Sequence, residues 1–266
     1  MTLVVCDVDG TLVDSNKELS DANKAAVARL RAAGIGFTII SARPQSGMMW
    51  IGQALDLDAP MGAFNGGLVF DRGGNILAHE MIDPAVARGA IALTSGAPVE
   101  RWVFADDRWY ASSGDGHHLD RERKSANREP IVTDEIDALL DHADKITFVS
   151  DDEPMLRGLH DRVNEAFGEA ATVVQSQTYY LDITARAANK GDGIAALARA
   201  MGVDLAETIA IGDQANDLAM FARAGRSIAM GNATDAVKAR ADAVTRTNDE
   251  SGVAHAIDTL ILKGHA

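Results

Sequence analysis

Asp7 and Asp9 stand one residue apart at the end of a short apolar run, Leu3-Val4-Val5-Cys6, and Gly10-Thr11-Leu12 follow at once. Side chains alternate between the faces of a strand, so residues i and i+2 lean the same way. Where a strand ends and backbone pairing stops, two such carboxylates can converge on one small site. Carboxylate and carbonyl oxygens together suit a hard cation such as Mg²⁺. An isolated Asp-x-Asp-Gly is more often a plain turn, so the chemistry depends on what the rest of the chain adds.

Three further segments answer it: Ser41-Ala42-Arg43, Lys190-Gly191, and Gly212-Asp213-Gln214-Ala215-Asn216-Asp217. Taken singly, Ser41 reads as a helix cap, Lys190 as a solvated lysine at a helix start, and Asn216-Asp217 as another cap. What unites them is their place at or just beyond predicted strand ends. In a parallel α/β sheet the carboxyl ends of the strands form the site. Acids, a hydroxyl and a lysine distant in sequence are therefore expected to meet in one crevice.

The elements that would position them alternate. The opening third reads as a strand ending at Asp7, a helix over Asp21 to Ala33 behind Ser20, and a strand over Phe37 to Ile40. A helix started by Pro44 follows, then a strand over Met61 to Asn65 that turns at Asn65-Gly66-Gly67 into Leu68-Val69-Phe70. The closing third resumes with a helix over Lys190 to Met201, a strand over Thr208 to Ile211, and a helix from Asn216. Strand Ser227 to Met230, a helix near Asp235, strand Ala243 to Thr245 and a last helix from Gly252 complete it. This order implies an α/β fold, a parallel sheet covered on both faces.

The middle differs. Helix signals over Pro84–Ser95 and Glu153–Phe167 stand between paired strands over Arg101–Ala105, Trp109–Ser112, Ile146–Ser150 and Tyr179–Ile183. This is α+β order, read here as an inserted second domain over 82–187, with 1–81 and 188–266 forming a Rossmann-like core.

With 266 residues, nearly half of them hydrophobic, the chain has ample material for a core. Asp and Glu number 39 against 25 Lys and Arg, a formal charge of −14. That argues against broad electrostatic binding to nucleic acid or to anionic membrane. Cys6 is the only cysteine, so no intrachain disulfide is possible, and a buried apolar role is expected for it. No run approaches the roughly 18 apolar residues of a membrane span, and no signal peptide pattern opens the chain. A cytoplasmic location is the expectation; oligomeric state is unread.

The set of motifs, in this order, resembles a haloacid dehalogenase (HAD) superfamily phosphatase of the Cof-type subgroup, with a large α/β cap between its second and third motifs. The resemblance covers nearly the whole chain. Asp7-Val8-Asp9-Gly10-Thr11-Leu12 is similar to the first motif, and Gly212-Asp213-x-x-Asn216-Asp217 with Met220 to the fourth. Asn65-Gly66-Gly67, Met230-Gly231-Asn232-Ala233 and the run from Thr247 to Ala254 also resemble segments of this subgroup. Ser41 departs from it, since threonine is commoner there, but the hydroxyl is kept.

The resemblance implies a Mg²⁺-dependent phosphatase of small phosphorylated metabolites, sugar phosphates or phosphorylated cofactors, with Asp7 as nucleophile and an aspartyl-phosphate intermediate. Asp7, Asp213 and the backbone carbonyl of Asp9 would ligate Mg²⁺, with Asp217 orienting ligands from behind. The Asp9 side chain would protonate the leaving alcohol and then activate water. Ser41, Lys190 and Asn216 would hold phosphoryl oxygens, helped by backbone amides after Asp9. Arg43 is a candidate substrate contact, equally a structural ion pair. The cap would set specificity. A mannosyl-3-phosphoglycerate-type phosphatase, a phosphomutase and a non-catalytic sugar-phosphate sensor stay open as rivals. A general kinase does not, for want of a Walker-type loop. In the cap, Trp102, Trp109 and Tyr110 read as packing before sugar stacking, and His117-His118 as a solvated loop.

Overall fold

The computed structural model describes residues 2–264. The chain forms two compact units. Of the described residues, one comprises 2–42, 48–78 and 189–264; the other comprises Arg43–Gly47 and His79–Ala188.

The chain opens with β1 (Leu3–Asp7), α1 (Asp21–Ala32), β2 (Gly36–Ile40), α2 (Gln45–Ala54), β3 (Met61–Ala63), β4 (Leu68–Phe70) and β5 (Ile76–His79), in the first unit but for the first three residues of α2 and the last of β5. The chain contributes α3 (Pro84–Leu93), β6 (Glu100–Ala105), β7 (Arg108–Ala111), α4 (Leu119–Ala126), β8 (Ile131–Val132), β9 (Ala143–Val149), α5 (Glu153–Phe167), β10 (Ala171–Gln177) and β11 (Tyr180–Ala185) to the second unit. It then returns through α6 (Lys190–Ala200), β12 (Thr208–Gly212), α7 (Leu218–Phe221), β13 (Arg226–Ala229), α8 (Asp235–Lys238), β14 (Ala243–Val244) and α9 (Gly252–Ala256).

The first sheet has eight strands in the order β14-β13-β12-β1-β2-β3-β4-β5. From β14 to β3 every pair is parallel, and β3 turns back antiparallel onto β4. All five residues of β1 are buried, as a central strand covered on both faces requires. One face packs through Leu3, Val5, Ile40 and Ala210 against Ile194 and Leu197 of α6 and Met220 and Phe221 of α7. The second sheet, β10-β11-β9-β6-β7-β8, is antiparallel except for β7 with β8. Val103, Ile146, Phe148, Leu181 and Ile183 on it pack against Val86, Ala87 and Ala90 of α3 and Leu156, Leu159 and Val163 of α5. Among the described residues no helix is long and apolar enough to cross a membrane.

The structure departs from the sequence reading at four places. The strand expected to reach Asn65 stops at Ala63, because Phe64 and Asn65 both take positive φ, 48° and 58°, and the chain turns. The helix expected from Asn216 is first a tight 3-10 turn over Ala215–Asp217, fixed by reciprocal bonds between Gln214 and Asp217. Strand β5 is exposed at all four residues, so it has no burial alternation to read. Strand β10 ends in Gln175-Ser176-Gln177, polar residues without an apolar period.

Candidate active site

Three carboxylates converge at the ends of β1 and β12. Oxygens of Asp7, Asp213 and Asp217 lie within 4.8 Å of one another, and all three residues are buried. Asp7 is the last residue of β1, Asp213 follows β12, and β12 pairs directly with β1. Parallel pairing thus carries residues 206 positions apart to the same edge of the sheet.

Lys190 supplies the cation. Its Nζ donates to Asp7 Oδ1 at 2.6 Å and to Asp217 Oδ1, and the side chain is 1% exposed. It opens α6, whose N-cap Asn189 accepts the Asp192 amide. The helix is drawn close to the turn after β3 because Gly193 has no side chain. A Cβ there would come 2.4 Å from Ile40 Cδ1 and 2.8 Å from the Asn65 carbonyl oxygen.

Each acid has its own setting. Asp217 is saturated: Oδ2 accepts the backbone amides of Asp213 and Gln214, both at 2.8 Å, while Oδ1 accepts Lys190. Asp213 accepts the Thr11 hydroxyl at 2.8 Å, the Gln214 side-chain amide at 3.0 Å and that of Asn232 at 3.4 Å. Asp7 is bonded at Oδ1 alone; no described residue donates to its Oδ2. Burial pushes the Asp7 carboxyl well above the usual carboxylate range, against the pull of Lys190, and the charges of Asp217 and Asp213 push the same way. Burial likewise raises Asp213, opposed by the Thr11 hydroxyl. Burial works against the Lys190 charge, yet the carboxylates of Asp217 and Asp7 hold its pKa above that of an ordinary lysine.

Asp9 lies apart from this triad, with Lys17 Nζ 2.6 Å from its Oδ1. Ser41 is buried just past β2; its amide donates to Gly62 O and its carbonyl accepts the Asn65 amide at 2.7 Å. Asn216 reaches Asn65 only at 3.5 Å, and its buried Oδ1 has no partner. Arg43 is buried, donates to Gly47 O at 3.3 Å and groups with the second unit. The amides of Thr11, Leu12 and Val13 all donate to the Val8 carbonyl. The backbone cradle expected after Asp9 is therefore largely spent inside its own turn.

In the second unit Trp102 and Trp109 are buried with their rings edge to face at 5.1 Å, so they pack the domain. His117 and His118 both bond the Asp151 carboxylate, at 3.2 and 2.7 Å. Cys6 is buried.

Sequence reasoning assigned no role to Thr11, Gln214 or Asn232, the donors that fix Asp213, nor to Lys17. Thr11, Gln214 and Asn232 stand inside segments already singled out; nothing in the sequence marks Lys17.

Gly10 closes the site from below. Its φ is +77°, and a Cβ would come 2.4 Å from Asp213 Oδ2. Gly10→Ala is expected to cost at least about 1–2 kcal/mol from the left-handed backbone alone, and to displace Asp213. A denaturant titration beside a rate assay checks both.

A parallel sheet that gathers a lysine and three acids at the ends of neighbouring central strands defines an α/β enzyme with a strand-end active site. The sequence model of the haloacid dehalogenase-like hydrolases matches residues 4–257. The chain belongs to that family and is a phosphatase of its Cof type. Phosphatase YwpJ of Bacillus subtilis is 30% identical, covering 98% of this chain and 100% of the relative. The 5-amino-6-(5-phospho-D-ribitylamino)uracil phosphatase YwtE of the same organism is 29% identical over 98% of both. A solved haloacid dehalogenase-like hydrolase from Bacteroides thetaiotaomicron superposes with a TM-score of 0.88 at 26% identity, over 97% of this chain and 99% of that one.

Proposed function

We propose that the chain hydrolyses small phosphorylated metabolites, sugar phosphates or phosphorylated cofactors, through an aspartyl-phosphate on Asp7, with Mg²⁺ bound beside it. The observation that carries this is the state of Asp7: one carboxylate oxygen held by Lys190, the other without a donor, at a strand end among two further acids. A relative that acts as a phosphatase on a phosphoribitylamino-uracil supports the substrate class.

The residues present fit a divalent ion. The donors are all oxygen, which selects a hard cation, and three acids facing one lysine leave an excess of buried negative charge. Asp7, Asp213 and the Asp9 carbonyl would hold it. Asp217 is already saturated by amides and Lys190 and would serve from behind. When bound, the ion offsets the charge of the incoming phosphate.

The chain's own groups do the rest. Asp7 Oδ2 attacks phosphorus as the bond to the leaving oxygen breaks, and the carboxyl of Asp9 gives that oxygen its proton. Asp9, now a carboxylate, takes a proton from water as the water oxygen attacks phosphorus and Asp7 Oδ2 departs. Lys190, Ser41 and Asn216 hold the transferring oxygens, Lys190 with full charge. The loosely held side-chain amide of Asn216 suits a group waiting for a ligand. Residues 82–187 act as the cap that selects the leaving group, with Arg43 as a candidate contact.

Phosphate release from a panel of phosphorylated metabolites tests the reading. Release is expected to stop in EDTA and return with Mg²⁺. Mg²⁺ at about 100 times its dissociation constant should also add ~2.7 kcal/mol of stability, and Asp213→Asn should remove that gain. Metal-independent release would contradict the proposal.

A further inference from the structure

Lys17 lies in no segment that the motifs single out, yet its Nζ stands 2.6 Å from Asp9 Oδ1, with the two side chains 26% and 32% exposed. The loop that carries it is tightly built. Asp14 Oδ1 accepts the amides of Asn16 and Glu18 at 2.9 and 2.8 Å. The Asp14 amide donates to Glu18 O, and the Lys17 amide donates to Asp14 O, both at 3.0 Å. The Ser15 amide donates to Asp249 Oδ1 at 2.8 Å, anchoring the loop to the Asn248–Glu250 turn.

Within this loop Lys17 holds φ +68°. Glycine or asparagine would meet that backbone at lower cost. What lysine adds is an ammonium beside Asp9. An ion pair this exposed adds little to stability, so the pair itself does not offset the strain of a left-handed lysine. Lys190 is committed elsewhere: it bonds Asp7 and Asp217.

We propose that Lys17 is the positioning residue for Asp9. Its ammonium fixes the direction of the carboxyl group that trades protons with the leaving oxygen and then with water. This rests on the acid–base assignment of Asp9 made above. Lys17 touches neither of the other acids with which Asp7 converges, so its effect passes through Asp9 alone. An effect exerted only on proton transfer should appear in kcat and leave KM unchanged.

The test is steady-state hydrolysis of the panel's most rapidly cleaved alkyl phosphate, whose leaving oxygen needs a proton so that both steps call on Asp9, with saturating Mg²⁺ by the parent, Lys17→Met, Lys17→Arg, Asp9→Asn and the Lys17→Met/Asp9→Asn double variant. Lys17→Met is expected to lower kcat about ten- to a hundredfold, with KM within about twofold and an unchanged melting temperature. Lys17→Arg should recover most of the rate. On the Asp9→Asn background Lys17→Met should change nothing further, because the group it positions is gone. An unchanged kcat in Lys17→Met, or the same fold loss with and without Asp9, would overturn the proposal. Full activity in Asp9→Asn would instead remove the acid–base assignment itself, an outcome read independently of any Lys17 variant.

Discussion

Asp7→Asn is expected to lower phosphate release at least about ten-thousandfold, the scale on which loss of a nucleophile acts, while the metal-free protein melts at or above the parent's temperature. The two halves have one cause. Asp7 is buried against Asp213 and Asp217, and its carboxyl is raised in the folded state. An acid raised on folding favours the native state only while it is protonated, below the ordinary carboxylate range. That contribution is lost as pH rises from the ordinary carboxylate range through the raised folded value, so above that range the acid contributes less to stability than a neutral side chain in its place. Asparagine keeps an acceptor for Lys190 and removes the charge. A gain of ~1 kcal/mol would appear as a few degrees in a domain of this size. Melting curves in EDTA, beside phosphate release in Mg²⁺, measure both. A variant that is inactive and strongly destabilised would mean that Asp7 is a structural partner of Lys190 before it is a nucleophile.

Lys190→Met should act in the opposite sense on stability and in the same sense on rate. The ammonium is buried, 1% exposed, and joins two carboxylates. Removing one member of a buried pair costs about 3–5 kcal/mol, because the charges left behind have no partner. Turnover should fall at least about a hundred- to a thousandfold with the lost stabilisation of phosphoryl charge. The double variant Lys190→Met/Asp217→Asn separates the effects. It relieves the stranded carboxylate and should regain much of the stability, yet stay inactive. Guanidinium titrations in EDTA and in Mg²⁺ provide the measurement, and the loss should be smaller in Mg²⁺. Equal stability of Lys190→Met and the parent would place the lysine outside the charge balance described above.

Much of the architecture was legible because chemistry and fold speak through the same short segments. Asp7 could be placed at a strand end because four apolar residues precede it, and Asp213 because Ile209-Ala210-Ile211-Gly212 does the same. Both strands prove parallel and adjacent. Lys190 could be placed at a helix start by the pattern that follows it. The sequence could not show which acid would be saturated. Asp217 looks like an exposed cap in the motif, but the turn over Ala215–Asp217 folds it back onto two amides, and it is fully buried. Nor could it show Lys17 over Asp9, since that contact depends on a left-handed backbone and an Asp14-centred turn with no apolar period to announce them. The all-exposed β5 was missed for a related reason: an edge strand without a buried face has no alternation.

The central claim, that Asp7 accepts the phosphoryl group, is tested most directly by trapping it. Asp9→Asn should slow the water-activating second step more than the first when the leaving group needs no proton, as with p-nitrophenyl phosphate. Acid quenching of that variant after one turnover in Mg²⁺, followed by peptide mass spectrometry, is predicted to find an acid-stable, base-labile phosphoryl group on Asp7. It should form at the rate of the p-nitrophenol burst and be absent in Asp7→Asn. A burst without phosphorylated Asp7, or a phosphoryl group on another residue, would contradict the account.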